Sequence, residues 1–149
     1  MRLFFVICLL FVMPGTTGAR ELIVGPVDAD VVRVRDGDSI DVVAHIWPGQ
    51  DVRVSVRLRG IDAPELNARC LYEKQLAVLA RDKLNDIVRS GKIHLHQISG
   101  GKYFGRVLGR VISQSGDDAA KILLKTGLVR RYQGRKRTSW CPENAKISN

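Results

Sequence analysis

Cysteine is scarce in this chain of 149 residues: there are three, and no two stand in Cys-x-x-Cys spacing. That absence argues against a redox-active pair. Internal repeats, low-complexity tracts and linkers are also missing, which leaves room for one domain. Long apolar runs are nearly absent. The single one, Leu3 to Met13, is too short to cross a bilayer comfortably as a helix. Acidic residues are outnumbered, with 15 Asp and Glu against 24 Lys and Arg. A small basic domain attracts polyanions: nucleic acid, anionic polysaccharide or a lipid surface. Charge alone does not choose among them.

The apolar run has a distinct character. Arg2 precedes it, Pro14 and Gly15 break it, and Thr17-Gly18-Ala19 offers small residues for cleavage. This is the anatomy of a secretory signal peptide. The expectation is a leader over 1–19 and a domain over 20–149, periplasmic or secreted, with no stable membrane insertion after cleavage. Loss of Arg2 leaves 23 basic residues against 15 acidic ones, a net charge of +8. Loss of Cys8 leaves Cys70 and Cys141, which form one disulfide or remain free thiols. A bridge would close a loop of about 70 residues and contribute on the order of 4 kcal/mol.

Periodicity sets out the elements. Val31–Arg35 and Ser39–Ile46 read as strands around an Asp36-Gly37-Asp38 turn, a good hairpin signal. Val52, Val54, Val56 and Leu58 alternate with polar residues as in a half-buried strand. Gly60–Glu65 is a loop. A long helix follows, roughly Cys70 to Arg89, with Tyr72, Leu76, Leu79, Ala80, Leu84 and Ile87 expected on its inner face. A short strand holds Ile93 and Leu95, and a fifth runs from Tyr103 to Ile112. Asp117 or Asp118 would cap a second, shorter helix through Lys125, with Gly127 just past its end. The class is mainly β with helices (α+β). The order suits a five-stranded OB-like Greek-key barrel with the long helix between strands 3 and 4.

Three blocks carry chemistry: Val31-Val32-Arg33-Val34-Arg35-Asp36-Gly37-Asp38-Ser39-Ile40, Val56-Arg57-Leu58-Arg59-Gly60-Ile61-Asp62-Ala63-Pro64-Glu65 and Lys102-Tyr103-Phe104-Gly105-Arg106-Val107-Leu108-Gly109-Arg110. They bring carboxylates from two loops together with arginines from two strands. Phosphodiester hydrolysis needs such an inventory. A hard cation such as Ca²⁺ or Mg²⁺ takes carboxylate and carbonyl oxygens, and it polarises the phosphoryl group and holds the attacking water. Guanidinium groups match the charge that builds on the equatorial oxygens. A further carboxylate takes the proton from water. Each block has a plainer reading alone, as a hairpin turn, a helix-capping loop or a strand with a solvated Arg; their joint occurrence in order is what counts.

Together, Asp-Gly-Asp, Arg-Leu-x-Gly-Ile-Asp-x-Pro-Glu and a Tyr-x-Gly-Arg-like block resemble the staphylococcal nuclease-like (thermonuclease) family over about Val31 to Tyr132. The resemblance implies Ca²⁺ held by Asp38, Asp62 and the backbone carbonyl of Ala63, with Asp36 as a supporting acid near the ion. It implies that Glu65 orients or deprotonates water and that Arg57 and Arg106 clamp the phosphate. It implies cleavage on the 5′-oxygen side, leaving 3′-phosphate ends, on single-stranded or frayed DNA or RNA, by a monomer. Tyr103, Phe104 and Tyr132 are the stacking candidates. The chain departs from the family pattern in Ala63, where the type enzyme has Thr, in Gly101, where an acid is frequent, in the inserted Phe104 and in a short tail after Gln133. Trp140-Cys141 would be tied to the long helix through Cys70.

His94 and His96 would share one strand face, and the expectation is surface or substrate-side residues rather than zinc ligands, since no partner supplies the remaining ligands. Arg130, Arg131, Arg135, Lys136 and Arg137 form a basic cluster, either solvated or tracking phosphates. Trp47 sits in a turn, exposed for stacking or packed over a barrel end. Two rivals stand beside the nuclease: a catalytically silent OB module that binds nucleic acid, and a basic domain that binds an anionic envelope polymer.

Overall fold

Strand pairing joins segments far apart in the chain, and these joins place the three blocks side by side. The computed structural model describes residues 21–101 and 103–142. The expected leader over 1–19 and Lys102 of the third block lie outside the described residues. The elements are β1 (Leu22–Ile23), β2 (Val27–Asp36), β3 (Ser39–Trp47), β4 (Gln50–Leu58), β5 (Ile61–Asp62), α1 (Leu71–Ile87), β6 (Lys92–Gly100), β7 (Arg106–Ser113), α2 (Ala119–Thr126) and β8 (Arg130–Arg131).

The five expected strands form the barrel. β2, β3 and β4 make an antiparallel meander, β6 pairs with both β2 and β7, and β7 closes the circle by running parallel to β4. Closure pairs each barrel strand on both sides over at least part of its length, a device that limits edge-to-edge association of a small β domain. Alternation fills the interior. Ile40, Val42, Val56, Leu58, Ile93, Leu95 and Val111 are buried, while their neighbours along each strand face outward. Each such side chain contributes roughly 1.5–3 kcal/mol of burial.

Boundaries differ from expectation in three places, one of them β6, expected as a short strand and running nine residues over Lys92–Gly100. β2 begins at Val27, four residues early, because Val27 and Ala29 continue the inward alternation while Asp28 and Asp30 face out. Asp and Ala weaken the local strand signal, and pairing with β6 overrides it. β7 begins at Arg106 rather than Tyr103. Tyr103, Phe104 and Gly105 form a turn in which Gly105 takes φ +75° and the Tyr103 carbonyl accepts the Arg106 N–H at 3.3 Å.

The inner face of α1 also differs. Ala77, Ala80 and Leu84 are buried, whereas Tyr72 and Leu79 are about half exposed. Small residues set this rotation by letting the helix approach closely. A methyl added at Gly37 would lie 2.6 Å from Ala80 Cβ and 2.9 Å from Ala63 Cβ, so Gly37 lets helix and both acidic loops meet. α2 follows expectation: the Asp118 carboxylate accepts the Lys121 N–H at 3.1 Å, and Gly127 ends the helix at φ 73°.

A disulfide joins Cys70, the residue before α1, to Cys141. It fixes the tail against the start of the helix, as the two-cysteine reading expects. Trp47 ends β3 and is 73% exposed, which decides between its two readings in favour of exposure.

Candidate active site

Block two leaves the barrel at the end of β4 and turns back as β5. The Leu58 N–H donates to the Asp38 carbonyl at 2.8 Å, so the first acidic loop is sewn to the strand that carries Arg57. β8 pairs with β5, with Arg130 opposite Asp62. Asp62 is thus held between the barrel and the tail.

Around this seam the charged groups interlock. Arg57 Nη1 donates to Asp38 Oδ1 at 2.7 Å, and its Nη2 lies 3.4 Å from Asp62 Oδ1. Asp38 Oδ1 also accepts the Ser39 hydroxyl at 2.8 Å, and Oδ2 accepts the Ala63 N–H at 3.1 Å. The Asp38 N–H donates in turn to Asp36 Oδ1 at 3.1 Å, which places Asp36 beside Asp38. Asp38 and Asp62 are buried, with carboxyl groups only 3% and 6% exposed. Glu65 stands at the mouth, half exposed, and its N–H donates to Glu73 of α1 at 3.1 Å.

Arg106 sits next to Ser55 in the parallel β4–β7 register, one strand away from Arg57 and on the same outward face. Among the described residues it pairs with no carboxylate, and it lines an open hollow where an anion can reach it. Arg59 serves differently. Its Nη2 donates to the Gln97 carbonyl at 2.8 Å and the Ser99 hydroxyl at 2.7 Å, pinning the bulge of β6.

The aromatic candidates divide. Tyr132 lines a cleft of about 280 Å³ with Asp62, Arg130, Arg131 and Arg137. Tyr103 and Phe104, both exposed, line a second depression of about 280 Å³ with Arg35, Asp36, Ser39 and Arg106. The two hollows thus lie against opposite acids of the same seam. His94 binds Asp28 at 2.7 Å as a cross-strand pair on the barrel wall. Among the described residues neither His94 nor His96 joins a cluster of three metal-ligating side chains.

One participant was not foreseen. Arg137 Nε lies 2.6 Å from Asp62 Oδ1, its Nη2 donates to the Ala63 carbonyl at 2.9 Å, and its Nη1 pairs with Glu65. Trp140 is buried beside it and donates from Nε1 to Asp62 Oδ2 at 3.3 Å, with the Arg130 guanidinium 3.7 Å from the ring centre. The basic run predicts a patch, but only the tether four residues later, at Cys141, hints that one of its arginines turns inward.

A family model described as staphylococcal nuclease homologue matches residues 55–147. The chain belongs to the staphylococcal nuclease homologue family. No curated protein matches the chain. The family match takes in Arg57, Asp62, Glu65, Arg106 and Arg137, and begins after Asp38, which the geometry joins to it through Arg57. A family of nucleases and nucleic-acid binders suits the basic surface and the paired acids and arginines of this homologue.

The donor set suits a divalent cation. Asp38 and Asp62 are buried carboxylates, Asp36 and Glu65 flank them, and one arginine, Arg137, reaches both Asp62 and the Ala63 carbonyl. Burial pushes the Asp38 carboxyl up to about 7; Arg57 opposes this and Asp36 adds to it. Between the ordinary value near 3.8 and about 7, folded Asp38 holds a proton that the unfolded chain has released. Stability of the cation-free protein therefore falls as pH rises through that window, by an amount on the order of a few kcal/mol. His45, raised by its hydrogen bonds to Asp51 and Asp30, pulls in the same direction near the top of the window. Urea unfolding at pH 5 and pH 8 in chelator is expected to show the loss. A pH-independent midpoint would contradict the account.

Proposed function

We propose that this chain is an exported, calcium-dependent endonuclease that hydrolyses phosphodiester bonds of DNA or RNA. The observation that carries the reading is the interlocked set Asp38–Arg57–Asp62 with Glu65 at its mouth. Phosphate binding alone calls for arginines, and does not call for two buried acids locked to one of them. Asp38, Asp62 and the Ala63 carbonyl would hold the cation. Bound there, Ca²⁺ supplies a Lewis acid that neutralises phosphoryl charge and holds water.

The chain's own groups do the rest. Arg57 and Arg106 present guanidiniums from adjacent strands to one phosphate and stabilise the charge that grows on it. Glu65, exposed enough to meet solvent, takes the proton from the attacking water. The bond to the 5′-oxygen breaks, leaving a 3′-phosphate. Tyr132 in one hollow and Tyr103 and Phe104 in the other offer stacking surfaces to bases on either side, which suits an unpaired strand. The basic tail tracks its backbone. Export by the leader places a disulfide-bonded domain in the periplasm or outside the cell, acting as a monomer.

One observation favours the rival binding module: Arg137 covers three of the groups named above. The protein is to be incubated with single-stranded DNA and with RNA, in Ca²⁺ and in excess chelator. Cleavage in Ca²⁺ that chelator abolishes, with products ending in 3′-phosphate, is expected. Salt-dependent binding without cleavage in any divalent ion would install the binding module in its place.

A further inference from the structure

Arg137 addresses three different acceptors with three nitrogens: Asp62 Oδ1, the Ala63 carbonyl and Glu65 Oε1. These are the oxygens that the proposed function gives to the cation and to the base. The seat is built from both sides. Trp140 is buried against Asp62, Arg130 Nη1 donates to the Ser139 carbonyl at 3.1 Å, and Cys141 is bonded to Cys70. Asp38, Asp62 and Glu65 do not converge on one point, since two guanidiniums lie among them. Among the described residues the only cluster of three potential ligands is Cys70, Glu73 and Cys141, whose sulfurs are spent in the disulfide.

We propose that Arg137 is a tethered counter-cation: it competes with the divalent cation for Asp62 and the Ala63 carbonyl, and it occupies Glu65 until displaced. The inference rests on the cation-dependent reading above. A divalent cation on Asp62 and the Ala63 carbonyl must remove both hydrogen bonds. Arg137 Nη1 also occupies Glu65 Oε1, so the same displacement uncovers that oxygen. Displacement is feasible because the Arg137 side chain is already 39% exposed and moves into water rather than across the core. The disulfide keeps it close, at an effective concentration of order millimolar. The site then loads only when the cation outcompetes its own arginine.

The test is calorimetric titration of Ca²⁺ into the disulfide-bonded full chain without substrate, beside Arg137→Ala and Arg137→Gln. Both variants are expected to bind Ca²⁺ about tenfold more tightly. In a Trp47→Phe background, Tb³⁺ excited through Trp140 is expected to light up at correspondingly lower concentration in the variants, which locates the ion beside Asp62. Cys70→Ser/Cys141→Ser is expected to tighten binding when Arg137 is present and to leave it unchanged in the Arg137→Ala background. Equal or weaker binding in both Arg137 variants would overturn the inference and leave the cation site standing. Failure of every variant to bind either ion would overturn the inference together with the reading it rests on.

Discussion

Glu65→Gln is expected to slow DNA and RNA cleavage by roughly 10²–10⁴-fold, with little change in the Ca²⁺ midpoint or in folding. The substitution keeps the shape and removes the charge that accepts a proton. Glu65 is half exposed and stands outside the buried Asp38–Arg57–Asp62 set, so its loss leaves no orphaned charge in the interior. Arg137 still has Asp62 and the Ala63 carbonyl to bind. Single-turnover rates at saturating Ca²⁺, beside urea unfolding of the same sample, separate the two effects. A variant that cleaves within threefold of wild type would remove Glu65 from the chemistry and pass the proton to another group.

Arg57→Ala is expected to fail twice over. The guanidinium is only 17% exposed and joins two carboxyl groups that are nearly inaccessible to water. Breaking such a pair by removing one partner costs about 3–5 kcal/mol. Arg137 continues to serve Asp62, so the charge left without a partner is that of Asp38. The loss should therefore be larger at pH 8, where Asp38 is ionised, than at pH 5, where it holds its proton. Cleavage should fall by about 10²–10³-fold from the lost phosphate contact. Arg57→Lys keeps the charge without the two-pronged reach, and is expected to recover stability more fully than rate. Equal destabilisation at both pH values would break the link to Asp38.

Much of this was legible in the chain because the signals are local. Alternation of Val52, Val54, Val56 and Leu58 marks a strand wherever that strand is placed, and Asp118 with Gly127 brackets a helix by its own hydrogen bonds. The inner face of α1 was misjudged because periodicity weighs Tyr72 and Leu79 above Ala77. The close approach of Gly37, Ala63 and Ala80 rewards the smaller residue. The extra length of β2 was hidden for a similar reason: Asp28 and Asp30 look like loop residues until β6 lies beside them.

By itself the sequence determined the barrel strands, the two helices, the acidic loops and the arginines that accompany them, since each depends on neighbours within a few residues. The tertiary structure alone decided which groups touch. It brought Arg57 between Asp38 and Asp62, set Arg106 on the next strand with no carboxylate partner among the described residues, and divided the aromatics between two hollows. It also turned one arginine of the basic tail onto Asp62, Ala63 and Glu65. No local pattern encodes that contact, because it depends on a disulfide and a buried tryptophan joining residues about seventy positions apart.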